Sequence, residues 1–385
     1  VKVVIAHNRY SSAQPSGENT IVDTEIRQLT EAGVEVVPFQ RSSDEIGDLP
    51  TSEKLLLPVS PIYAPRAQRE LAELITRERP DVVHLHNPYP LLSPWVVKTA
   101  HKLDVPVVQT VHNYRQSCAN GLYFRDGHIC RDCLGKAFPY PAVQHSCYRG
   151  SKAQSLIMAS TLAAHRGTWR SLDQFIALTP AIAEHLLTLG ITENQITVKP
   201  NSIPDHGFSD APGQGLLFIG RLSEEKGIRL LLEAWSRAAD AAGAGLGQLQ
   251  IIGDGPLRDL VEKAASDRDD ITYLGKQDAD GVRAATRAAN ALVVASTWLE
   301  PLPTVIIEAL SNGRPVLGTN LGGIPYLVGD AGWLVEPTVE AMAAAIPRAA
   351  AGGLRQEARR RYLENFTPAV VLDRLIGVYE KVRRG

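Results

Sequence analysis

Short, mostly apolar, β-rich runs alternate with longer stretches of helical period along almost the entire chain. In the first half the runs fall at 1–6, 34–39, 81–85, 107–111, 174–178 and 196–199. In the second half they fall at 215–219, 249–252, 271–274, 291–295, 315–318 and 333–335. Between them the period lengthens, which predicts helices over 18–32, 66–77, 93–102 and 181–189. It predicts further helices over 225–239, 257–265, 279–288, 304–312 and 339–351. Strands apolar on both faces, each followed by a helix, imply parallel sheets covered on both sides. The fold class expected is therefore α/β, with two Rossmann-like, doubly wound domains in tandem.

The alternation breaks at NSIPDHGFSDAPGQG (201–215), a linker-like run rich in Pro, Gly, Ser and Asp. The expected division is an N-terminal domain 1–205, a C-terminal domain 206–365 and a final amphipathic helix within 366–385 that crosses back. Ligands of such sheets sit beyond the carboxyl ends of the strands, so two domains facing each other would enclose a cleft. The segment 113–150 departs from the pattern and reads as an irregular, cysteine-rich insertion.

Composition narrows the classes. The chain has 385 residues, 44% hydrophobic and 21% charged, with a formal net charge of -2. That balance suits a soluble globular protein and gives no electrostatic footprint for nucleic acid. No apolar run reaches the roughly 18 residues of a membrane span. The chain opens directly on the strand VKVVIA, so the expectation is a cytoplasmic protein without a signal peptide.

Three stretches carry candidate chemistry. In GRLSEEKG (220–227) a strand delivers Arg221 to its carboxyl end and Lys226 follows. A guanidinium and an ammonium there would clamp a diphosphate and stabilise a departing phosphate without a metal. A solvated loop paired with Glu224 and Glu225 is the plainer alternative. In IIGDGP, Gly253 and Gly255 flank Asp254, and glycines there let a ligand approach the backbone. A complete G-x-G-x-x-G is missing, which argues against a dinucleotide oxidoreductase. In STWLEPLPTVIIEAL, Pro303 fits the first helical position, and the amides near Leu302, Thr304 and Val305 would face phosphate or sugar oxygens. Glu300 would then accept from sugar hydroxyls and Glu308 from a ribose diol, at the two ends of one ligand.

The ordered series GRLSEEKG, IIGDGP, YLGK, EPLPTVIIEA and GRPVLGTNLGG resembles the retaining glycosyltransferases of family four, with their two-domain GT-B fold. The pair Glu300-x7-Glu308 matches that family's donor-site signature. DVVHLHN, QTVHN, FIALT and VKPNSI resemble its first domain more weakly. The resemblance implies that Arg221 and Lys226 hold the donor diphosphate, that Gly253–Gly255 and Lys276 border the base, and that His112 lies beside the transferred sugar. Ser16 and Gly17 match a loop near the diphosphate, with Ser16 replacing one of two usual glycines. Leu302-Pro303 replaces a frequent Phe-Gly, and Pro303 has no amide hydrogen to donate. His86, Asn87, Asn113 and Arg115 are expected on the acceptor side. Of the two histidines in HLH, one is expected toward the core and the other, His86, at the cleft edge.

The implied reaction moves a hexose or N-acetylhexosamine from a nucleotide-diphospho-sugar, UDP or GDP first, to a glycan, lipid-linked or small-metabolite hydroxyl. Peripheral membrane contact fits a lipid-linked acceptor. Two other classes stay open: a GT-B sugar-nucleotide epimerase and a non-catalytic nucleotide-sugar-binding protein. Cys118, Cys130, Cys133 and Cys147 have a spacing that suits a structural zinc ion; disulfides and free thiols are the alternatives.

Overall fold

The computed structural model describes residues 1–13 and 16–384. The chain divides into two units. One comprises 1–123, 131–200 and the segment from 372 onward; the other comprises 124–130 and 201–371.

The first unit is built on a six-stranded sheet. Its order is Glu35–Ser42, Lys2–Arg9, Val82–Leu85, Val107–Val111, Gln174–Ala177, Ile196–Val198, with every neighbouring pair parallel. The inner strands are buried along nearly their whole length because helices cover both faces, so no period of two survives in their sequences. Helix Gly17–Glu31 starts where the Ser16 hydroxyl accepts from the Glu18 amide at 3.2 Å, and it buries Val22, Glu25 and Leu29. Leu375, Val378 and Tyr379 of the last helix, Pro368–Arg384, join Val3, Ile5, Val82 and Val108 in one apolar cluster. Each such side chain contributes about 1.5–3 kcal/mol on burial. Strand order reverses beside Lys2–Arg9, so the crevice of this sheet opens between that strand's end and the end of Val82–Leu85.

The second unit repeats the plan. Its order is Ile271–Gly275, Leu249–Ile252, Leu216–Ile219, Ala291–Val294, Val316–Thr319, Gly332–Val335, again all parallel. Trp235, Leu231 and Met342 lie in the cluster on one side of the sheet; Ile306, Leu310 and Tyr362 lie in the other. Here the reversal falls between Leu216–Ile219 and Ala291–Val294, which makes the turns after these two strands the natural ligand position.

Helices Lys152–Arg170 and Arg355–Asn365 have no clear trace in the sequence pattern. The buried face of the first carries Ser155, Thr161, His165 and Thr168 among its apolar residues, which interrupts the stripe that betrays a helix. The second buries only Ala358 and Tyr362. The segment 113–150 is also less irregular than expected. It contains a two-stranded hairpin, Phe124–Arg125 with His128–Ile129, and a short helix, Tyr140–Gln144.

Candidate active site

In the second unit, strand Leu216–Ile219 runs into the turn that carries Arg221 and Lys226. Gly227 ends this turn with φ +69, and a Cβ there would fall 1.8 Å from the Ala295 carbonyl oxygen. Only glycine lets the turn lie against the end of the neighbouring strand. The Thr297 amide then donates to the Glu225 carbonyl at 2.9 Å, joining the turns that follow the two central strands.

That junction assembles charge. Lys226 Nζ pairs with Glu300 Oε1, and the Ser296 hydroxyl donates to Glu300 Oε2 at 2.5 Å. Glu300 is buried, whereas Lys226 is partly open to solvent and lies 5.8 Å from the Trp298 ring centre. Arg221 is exposed. The chain therefore brings Lys226 and Glu300 together across 74 positions of sequence, at the reversal point of the sheet.

Pro303 is the N-cap of helix Thr304–Ser311, one position earlier than its expected place inside the helix. The first intrahelical bond runs from the Ile306 amide to the Pro303 carbonyl at 3.0 Å, so the Thr304 and Val305 amides precede it. Leu302 and Glu308 are half-buried. Burial raises the Glu308 carboxyl above the usual range, with Arg283 opposing.

The glycines of the GDG turn have a different first duty from the one expected. A Cβ on Gly253 would lie 1.8 Å from the Gly220 carbonyl oxygen, so close packing of two protein turns already requires glycine. A Cβ on Gly255 would lie 2.5 Å from the Leu222 carbonyl oxygen, while Asp254 and Lys276 are exposed just past the ends of two neighbouring strands.

In the first unit, His112 follows strand Val107–Val111, and its Nε2 lies 2.9 Å from His86 Nδ1. Burial lowers the His112 pKa well below the ordinary value, so the ring is neutral. His84 and His86 both reach Glu25, at 3.3 and 3.2 Å, with ring centres 4.2 Å apart. This corrects the expectation that they face different ways: residues two apart on a strand share a face. The Asn87 amide donates to the carbonyls of Asn8 and Tyr89 and accepts from the Tyr89 amide, so it braces this loop. Asn113 accepts from the Arg115 amide at 3.0 Å. Ser16 caps its helix, while a Cβ at Gly17 would meet nothing within 4 Å, so packing does not demand that glycine.

His86, Asn87, His112, Asn113 and Arg115 line a narrow recess. Seven buried atoms on its lining residues have no hydrogen-bond partner among the described residues: Glu18 Oε1, His86 Nε2, Tyr89 Oη, Gln109 Oε1, Arg115 Nε, Gln116 Oε1 and Trp169 Nε1. Left unmet, each costs about 1–3 kcal/mol, so water or a polar ligand group is expected against them. Sequence reasoning missed Glu18, Tyr89, Gln109, Glu25 and Lys199. The one available signal was Glu25 itself, a charged residue at a core position between Val22 and Leu29.

The four cysteines of the insertion are each half-buried. Among the described residues, the group of three or more His, Cys, Asp or Glu ligand atoms within 4.8 Å of one another is Glu25, His84 and His86. Cys118 and Cys130 are unbridged. The Cys118 thiol lies 3.0 Å from Asn120 Oδ1, and burial pushes its pKa up. Cys133 and Cys147 pack against the cluster of Ala119, Ala142, Met158 and Leu162.

Residues 3–202 match the family model for the glycosyl transferase 4-like domain, and residues 213–351 match that for glycosyl transferases group 1. An uncharacterized glycosyltransferase of Methanocaldococcus jannaschii is 24% identical over 261 residues, 64% of this chain and 60% of that protein. The matched part is thus less than two thirds of that relative's length. A phosphatidyl-myo-inositol mannosyltransferase of Mycobacterium leprae is 26% identical over 328 residues, 78% of this chain and 74% of that one. Among solved structures, Anabaena HepE, crystallised with UDP, superimposes with a TM-score of 0.64 at 16% identity, covering 99% of this chain and 100% of that one.

Proposed function

Because the chain belongs to the group 1, family 4-like glycosyltransferases and has their GT-B fold, we propose that it transfers a hexosyl or N-acetylhexosaminyl group from a nucleotide-diphospho-sugar to an acceptor hydroxyl, retaining the anomeric configuration. The observation that carries this reading is the meeting of Lys226 and Glu300 at the reversal point of the second sheet. An ammonium has three N–H donors, so Lys226 can keep Glu300 while donating to a diphosphate. Arg221 adds a second positive group at the same strand end. Together they offset the charge that grows on the leaving phosphate, a transfer that needs no metal ion.

In this reaction the bond from the anomeric carbon to the phosphate oxygen breaks. The acceptor oxygen bonds to that carbon on the same face, and its proton passes to the departing phosphate. Glu300 binds a donor-sugar hydroxyl and Glu308 the ribose. Thr304 and Val305 offer amides, and Asp254 and Lys276 border the base. The UDP held by the Anabaena neighbour supports a UDP-sugar ahead of a GDP-sugar. The polar recess at His112 and Arg115 supports a sugar-containing acceptor. The mannosyltransferase relative supports a lipid-linked one, reached peripherally from the cytoplasm; no helix among the described residues is long and apolar enough to cross a membrane.

The test is incubation with UDP-glucose, UDP-N-acetylglucosamine and GDP-mannose, with and without glycan or lipid-linked acceptors, in the presence of EDTA. Proton NMR of the product reads its anomeric configuration. Glycoside formed with retained configuration supports the proposal. Epimerised nucleotide sugar without transfer, or an inverted product, defeats it.

A further inference from the structure

Glu25 is an ionisable residue in a core position, and what surrounds it forms a chain that ends at His112. Lys199, 2% exposed, donates to Glu25 Oε2 at 2.7 Å. The other oxygen, Oε1, lies 3.2 Å from His86 Nε2 and 3.3 Å from His84 Nδ1. His84 is already engaged, with Nδ1 2.6 Å from the Tyr379 hydroxyl and Nε2 2.8 Å from the Thr110 hydroxyl. Glu25 Oε1 and His86 Nε2 make no well-angled hydrogen bond to any described residue. They are separated by hydrogen-bond distance but not ideally aimed, and a small ring rotation lets each satisfy the other. The two histidines and the carboxylate also have the reach of a metal-ligand set. The Lys199 ammonium already supplies the cation at that carboxylate, which argues for an internal ion pair.

We propose that Glu25 and His86 are positioning residues that fix the tautomer of His112 and present its Nδ1 as a hydrogen-bond acceptor. The logic is a sequence of protons. An ionised carboxylate only accepts, so His86 carries its proton on Nε2. With the Glu25 charge already balanced by Lys199, the proposed chain leaves a lone pair on His86 Nδ1, and His112, 2.9 Å away, donates to it from Nε2. Neutral His112 is left with its lone pair on Nδ1, where a substrate hydroxyl can donate. Burial would by itself raise the Glu25 pKa, yet Lys199 and the two histidines hold it well below the usual range, so the carboxylate is charged. Burial keeps His84 and His112 neutral. His7, whose Nε2 is bonded to Asn19 Oδ1 at 3.0 Å, is the other titratable ring facing this group and is likewise held neutral, at about 4. A metal-bound histidine is oriented by its outer partner in the same manner.

The functional half of this proposal rests on the reading of His112 as the neighbour of the transferred sugar; the tautomer half does not. The experiment is ¹⁵N NMR of the full-length protein labelled at histidine. The expected wild-type result is His86 and His112 both protonated at Nε2. A wild-type His112 protonated at Nδ1 overturns the proposal with no variant needed. In the paired variant Glu25→Leu with Lys199→Met, no buried charge is left unpaired. The acceptor at His86 Nε2 is gone, so neither ring is held to one tautomer and His112 presents an N–H in part of the molecules. Turnover should then fall about tenfold with donor KM unchanged. Unchanged tautomers in a folded variant overturn the proposal, as does a lost tautomer preference with full turnover while His112→Ala is inactive. If His112→Ala keeps full turnover, the sugar-neighbour reading fails and the tautomer assignment is judged on the spectra alone.

Discussion

Glu300 carries two hydrogen-bonding partners within its own unit, and both aim its carboxylate. Replacing it by Gln keeps the shape and removes the charge that balances Lys226. We expect Glu300→Gln to lower kcat about 10²–10³-fold while leaving nucleotide affinity nearly unchanged, measured by steady-state kinetics beside calorimetry with UDP. Arg115 makes a separate claim at this scale. Its Nε is buried without a partner among the described residues, and only a planar guanidinium offers a fork of donors there. Arg115→Lys should raise acceptor KM about tenfold and leave donor KM in place; a change confined to donor KM would contradict the assignment. The sequence showed Glu300, Lys226 and His112 because their neighbours form recognisable strings. Glu25 and Lys199 stayed hidden: they lie 174 positions apart, and no local pattern marks a charge pair formed across a sheet.

Elements matter here chiefly through the turns that follow strands. Gly227 allows the Arg221–Lys226 turn to rest on Ala295, and that contact brings Lys226 to Glu300. Gly227→Ala would force a Cβ into a carbonyl oxygen at a positive φ. The turn must shift, at a cost of at least about 1–3 kcal/mol. We expect a lower melting temperature of the second unit together with a loss of nucleotide binding, read by calorimetry with and without UDP. The strands themselves were legible, since strands buried on both faces are uninterrupted apolar runs bounded by polar turns. The two long helices missed, Lys152–Arg170 and Arg355–Asn365, show the limit of that reading. Helix Lys152–Arg170 is held by polar side chains that find partners inside, such as His165 Nε2 with the Ile62 carbonyl at 2.9 Å, and hydrophobic periodicity does not record those contacts. The GDG turn was legible as a turn. That its glycines answer first to a neighbouring turn required the structure.

Over the whole molecule, buried histidines are concentrated in the first unit. His7, His165 and His185 are lowered by burial to about 4, and His84 and His112 lie well below the ordinary value. The sign follows directly. The unfolded chain binds a proton at each ring near pH 6.5, the native chain does not until far lower, so stability falls as pH drops through that window. Each ring adds a slope of up to about 1.4 kcal/mol per pH unit. In the second unit His206 is lowered much less clearly, being more open to solvent. The first unit should therefore open first on acidification, seen as hydrogen exchange rising in peptides from 1–123 and 131–200 between pH 6.5 and 4.5 before it rises in 201–371. Simultaneous opening of both units would contradict this. The central claim, that the turns at the reversal point of the second sheet grip a nucleoside diphosphate, is tested most directly by calorimetric titration of the full chain and its Arg221→Ala and Lys226→Ala variants with UDP and GDP. The account predicts saturable binding of one of them to the wild type and at least about tenfold weaker binding to each variant. Wild-type protein that binds neither nucleotide, or variants that bind as tightly as wild type, would contradict it.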